Sequence, residues 1–187
     1  MISFPFRRPA QDRSIDALYG MIVAQARSPE FYRGYGVADT VTGRFEMLVL
    51  HLALLMRRLR AGQPGVGEVG QRLFDRFCRD MDDNFREMGI GDLGVPKEMR
   101  KVAEAYYGRS KVYDAALDRA DMPALLEAVG RNVFGASEPP AGARALAAYM
   151  RDAAGRLAGA DASDLLAGRS PFPDPAAARE PEGMPAP

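Results

Sequence analysis

The sequence predicts an all-α fold, a single-domain helical bundle of about seven helices with a disordered C-terminal tail. Three observations carry this. Apolar residues recur at steps of three and four in segment after segment, which is the period of one helix face. Glycine- and proline-bearing breakers separate those segments at short intervals. No alternating run of β-branched residues appears anywhere in the chain, so nothing asks for a sheet.

The elements follow in order. Residues 1–11 read as an irregular arm, because Pro5 and Pro9 disfavour helix. Asp12 or Ser14 can cap a first helix with the stripe Ile15, Leu18, Tyr19, Ile22, Val23 and Ala26. Ser28-Pro29 starts a short second helix. Thr40 or Thr42 caps a third, whose apolar residues from Phe45 to Leu59 cover most of its circumference; such a helix sits at the centre of a bundle. Arg57, Arg58 and Arg60 at its end suit the negative pole of the helix dipole. After the breaker at residues 61–65 comes a helix with Leu73, Phe74, Phe77, Cys78, Met81, Phe85 and Met88 on one face. Gly89 can end it in the left-handed conformation, and Pro96 fits the first turn of the next helix. That helix carries Met99, Val102, Tyr106, Tyr107, Tyr113 and Leu117, and the short connection makes the pair antiparallel neighbours. A helix starts at Asp121-Met122-Pro123, another spans 143–158, and a short turn lies in 161–167. These elements make a helical domain over residues 12–167. From Gly168 the chain is proline, alanine, glycine and charge, too poor in apolar surface to repay ordering, so residues 168–187 are expected to be disordered.

Composition narrows the function. The chain has 187 residues, 47% hydrophobic, with 25 basic and 25 acidic side chains; the balanced charge argues against a dedicated DNA or RNA binder. One cysteine, Cys78, excludes an intrachain disulfide and a cysteine zinc site. One histidine, His51, removes most metal and general-base designs; in its leucine-rich setting it reads as a buried structural residue. The longest apolar stretch, residues 47–56, is far short of the roughly 20 residues that span a bilayer. The N-terminus lacks the apolar centre of a secretory signal, and the expected location is the bacterial cytoplasm.

Several motifs fail on context. Residues 89–94 spell GxGxxG, but a helix precedes them where a dinucleotide site needs a strand. Tyr107 to Lys111 spells YxxxK with no sheet to hold it. Residues 80–84 look calcium-like, yet Phe85 and Gly91 stand where a calcium loop needs glycine and glutamate. The arginine stripe Arg72, Arg76 and Arg79 shares one helix face and reads as surface ion pairing with nearby aspartates; Lys97, Arg100 and Lys101 add positive charge, and the functional alternative is contact with anionic lipid or ribosomal RNA. Methionines at 81, 88 and 99 fill core gaps, or line a compliant groove for a client helix. Asp92 can fix its glycine loop and pair with Arg109 behind Gly108.

The string Arg86–Tyr113, REMGIGDLGVPKEMRKVAEAYYGRSKVY, together with Tyr35-Gly36-Val37-Ala38-Asp39-Thr40 and Gly43 to His51, resembles the ubiquinol–cytochrome c chaperone family. The resemblance is good over residues 15–117 and looser elsewhere. It implies a non-catalytic assembly chaperone, without a cofactor or metal, that binds newly made cytochrome b and promotes assembly of the bc1 complex at the inner membrane. It also implies a possible role for a small second assembly factor and for the ribosome or an anionic membrane surface as partners. The residues expected to meet the client are Met81, Phe85, Met88, Tyr106, Tyr107 and Tyr113; Gly89, Gly91, Asp92, Gly94 and Arg109 are expected to shape the helix junction. Two other classes stay open: a membrane-surface lipid binder, and an enzyme acting on a quinone or haem precursor.

Overall fold

The computed structural model describes residues 7–61 and 66–177. Its helices are α1 (Arg7–Ala26), α2 (Pro29–Arg33), α3 (Val41–Arg60), α4 (Val66–Glu87), α5 (Val95–Asp118), α6 (Met122–Val133), α7 (Ala141–Gly159) and α8 (Ala162–Leu166). No strand occurs among the described residues. Helix α3 is the axis of the bundle: from Glu46 to Leu55 all but Leu48 are buried, and α1, α4, α5, α6 and α7 all pack on it. This is what its apolar circumference predicts.

The local signals act as the sequence suggests at most helix ends. The Thr40 side chain accepts the Gly43 N–H at 3.1 Å, and Asp121 accepts that of Ala124 at 3.0 Å. Gly89, at φ +83°, ends α4: the Ile90 N–H reaches the Phe85 carbonyl at 3.0 Å and the Gly89 N–H reaches that of Arg86 at 2.9 Å. These two bonds form the paired closure in which a left-handed residue satisfies the last carbonyls. The loop after α2 is set by close approach. A Cβ on Gly142 would lie 1.8 Å from the Tyr35 carbonyl oxygen, and one on Gly43 1.9 Å from that of Ala38, so only glycine admits both contacts.

Two boundaries differ from the sequence reading. Helix α1 begins at Arg7, not after Asp12. Pro9 falls inside its first turn, where the lost N–H has no intrahelical partner anyway. Residues 1–6 of the expected arm lie outside the described residues. The second difference is at the far end. Residues 168–177, expected to be disordered, lie against the bundle: Phe172 is 8% exposed, and Pro173 and Pro175 are buried. Three prolines restrict the backbone before folding, which lowers the entropy lost on ordering, and one aromatic side chain supplies the apolar anchor. Residues 178–187 lie outside the described residues.

Candidate functional site

The α4–α5 hairpin carries most of the residues singled out from sequence, and the fold sorts them sharply. Met81, Tyr106 and Tyr113 are buried core residues, so they cannot meet a client on the surface. The helical period alone cannot distinguish the two sides of an apolar stripe when a third helix, here α3, packs against it. Phe85 is half-buried. Met88, 55% exposed, and Tyr107, 61% exposed, face solvent. Sequence reasoning missed Leu93, which is 98% exposed at the tip of the hairpin. The signal was present: a leucine between glycines in a connection has no helix face to bury it.

The exposed apolar groups form two patches. Met88 and Leu93 make the tip, set by the closure at Gly89 and a turn in which Gly94 and Val95 donate to the Gly91 carbonyl at 2.7 and 3.2 Å. Tyr107 lies about 18 Å further along α5, from twelve residues at 1.5 Å each. There the rings of Phe74, Tyr106 and Tyr107 cluster at tilted angles, with the centroid of Phe74 4.9 Å from Tyr106 and 5.7 Å from Tyr107. A groove of about 200 Å³ beside them is lined also by Met56, Leu59 and Arg60, and the buried hydroxyl of Tyr106, which also lines it, has no hydrogen-bond partner among the described residues.

The basic stripe is spent on structure. Arg72 pairs with Asp12; Arg76 pairs with Asp16 at 3.1 Å and Asp80 at 3.6 Å and lies 4.7 Å over the Tyr19 ring. Tyr19 donates to Asp80 at 2.8 Å, and burial holds its phenol well above the usual range. These contacts stitch α1 to α4. Arg79 shares its shallow depression with Asp75 and Asp83. Lys101 pairs with Glu98 at 2.8 Å, while Lys97 and Arg100 are exposed.

The junction is built differently from the expectation. Asp92 pairs with Arg86, which also holds Asp82 at 2.7 Å. Arg109 instead grips Glu46 of α3 through two nitrogens, each 2.5 Å from a carboxylate oxygen. The Glu46 side chain is only 4% exposed. Burial raises its carboxyl above the usual range, against the pull of the two-point Arg109 fork.

His51 sits at the centre of α3, fully buried. Its Nδ1 lies 2.8 Å from the Met47 carbonyl, which can only accept, so Nδ1 carries the proton. Its Nε2 then accepts from the Tyr149 hydroxyl at 2.8 Å. Gln25 donates to Tyr149 at 3.0 Å and to the Pro173 carbonyl at 2.9 Å. The ring is thus held neutral, and burial brings its pKa down from 6.5 to about 4. Among the described residues no group of three or more His, Cys, Asp or Glu side chains is placed to hold a metal ion.

A family model described as ubiquinol-cytochrome C chaperone matches residues 33–172, further toward the C-terminus than the strings read by eye. The crystal structure of the Cbp3 homolog from Brucella abortus superposes with a TM-score of 0.81 at 38% identity, covering 91% of this chain and 96% of that chain. No curated protein matches.

Proposed function

Since the chain belongs to the ubiquinol–cytochrome c chaperone family, we propose that it is a non-catalytic assembly factor for the bc1 complex, and that its client is newly made cytochrome b. The observation that carries the reading is the pair of apolar patches on the family-matched hairpin, above all Leu93, 98% exposed. An exposed leucine on a tight glycine turn contributes nothing to its own fold, and isolated apolar groups on a rigid element are what a partner surface uses. The patches are small and set among charged residues, which suits a holder that must release its client.

The same observations narrow the partner contacts. With Arg72 and Arg76 engaged by aspartates, the exposed Arg79 on α4 and Lys97 and Arg100 beside the tip are the cations of these groups that face an anionic membrane surface or the ribosome. No helix among the described residues is long and apolar enough to cross a membrane. Location at the cytoplasmic side of the inner membrane, and cooperation with a small second factor, complete the proposal.

Photo-crosslinking probes at positions 88, 93 and 107, in cells making cytochrome b, test it. Adducts with cytochrome b are expected from these positions and not from Arg151, exposed on α7 away from the hairpin. Normal cytochrome b levels in cells lacking the protein would sink the reading.

A further inference from the structure

The last described segment is bound to the bundle as a ligand would be. Residues 171–175, Pro-Phe-Pro-Asp-Pro, have no regular secondary structure. The Phe172 ring meets His51 edge-on, with centroids 5.1 Å apart at 78°. Gln25 donates to the Pro173 carbonyl at 2.9 Å, and the Tyr35 hydroxyl donates to that of Pro175 at 2.8 Å. The floor beneath is a cluster of rings: Phe31 lies 5.3 Å from His51 and 5.0 Å from Tyr149, both near edge-on. An aromatic floor with two side-chain donors aimed at alternate carbonyls is the chemistry that captures extended, proline-containing peptides. Both donors read backbone carbonyls, so the side chains read are those that are buried, Phe172 and its proline neighbours Pro173 and Pro175.

The segment is held by the Phe172 ring, the buried Pro173 and Pro175 and two hydrogen bonds to the bundle. These offset the entropy of ordering a short irregular stretch by little, so it can open while the helices stay folded. Its Gln25 contact branches from the network that also holds Tyr149, which keeps His51 and Met47 satisfied on the floor when the strap leaves.

We propose that residues 171–175 are a displaceable strap over a peptide-binding groove formed by Gln25, Phe31, Tyr35, His51 and Tyr149. When the strap lifts, the groove takes an extended client segment with an aromatic residue next to proline. The client half of this proposal rests on the chaperone reading; the strap and groove do not.

The test uses the full chain and a fluorescent peptide of residues 169–177. Phe172→Ala weakens the internal competitor, so the peptide is expected to bind this variant at least tenfold more tightly than the wild type. The same peptide with its own phenylalanine replaced by alanine is expected not to bind. Hydrogen exchange on the wild type is a second readout that needs no variant. The His51 Nδ1 proton, covered by the Phe172 ring, is expected to exchange well before the amides of α3 and α7. Exchange only through global unfolding, or no peptide binding by a folded Phe172→Ala chain, overturns the proposal. Binding of residues 169–177 without binding of any peptide tiled along cytochrome b overturns the client half and leaves the chaperone reading, which rests on the hairpin, to the crosslinking test. A wild-type dimer crosslinked through the strap would assign the groove to a second copy and overturn the client half.

Discussion

Protonation of His51 gives a stability change whose size follows from the structure. In the unfolded chain the imidazole takes up a proton near 6.5; in the folded chain burial delays this to about 4. Between those values the unfolded state binds more protons than the folded one, so stability rises with pH across the window and is lost as pH falls through it. The slope is about 1.4 kcal/mol per pH unit, and the loss between pH 7 and pH 4 is about 3 kcal/mol, a large share of the ~5–15 kcal/mol that holds a domain. Carboxylates titrate in the lower part of the same range, so the measurement is a difference. Urea unfolding is followed by circular dichroism from pH 7.5 to pH 4 for the wild type and for His51→Gln, which removes the titrating ring. The wild type is expected to lose about 3 kcal/mol more than the variant over that interval. Because the chain has a single histidine, its ring protons also report directly by NMR and should show no titration above pH 5. Parallel pH profiles, or a ring that titrates near 6.5, would refute the tautomer and the network assigned to it.

Other expectations are as direct. Arg109→Ala leaves the Glu46 carboxylate buried without its partner and should cost about 3–5 kcal/mol in urea melts, while replacing both residues by leucine should recover much of that loss; a single-variant cost below about 1 kcal/mol would mean the pair is effectively solvated. Gly142→Ala forces a Cβ to 1.8 Å from the Tyr35 carbonyl and should lower the melting temperature sharply, whereas Gly155→Ala in the same helix meets nothing within 4 Å and should raise it. Leu93→Asp is expected to leave stability within about 0.5 kcal/mol of wild type but to reduce cytochrome b crosslinking from the hairpin; equal loss of folding would tie Leu93 to the core instead.

Much of the fold was legible before any coordinates. The central position of α3 follows from its apolar circumference, and the end of α4 follows from one glycine, because both are decided within a turn or two of helix. The family was legible because the matching strings are long and occur together in one order, across the α4–α5 connection with most of α5 and across the loop before α3 with its first half. The candidate site was less legible. Periodicity placed Tyr106, Tyr107 and Met88 together as client residues, yet one is core and two are exposed. Periodicity states that a residue lies on an apolar stripe; it does not state how wide a strip the neighbours cover.

The amino-acid order by itself determined the helices, the caps at Thr40, Asp121 and Gly89, the core of the bundle axis and the family. These depend on interactions between residues a few positions apart. The tertiary structure alone decided which charges pair between helices and where residues 169–177 lie. Arg109 reaches Glu46, 63 positions away, and not the nearby Asp92; Tyr35 reaches the Pro175 carbonyl, 140 positions on. Such partners are chosen by helix packing, which brings remote backbone and side-chain atoms within 3 Å, and no local pattern carries that information.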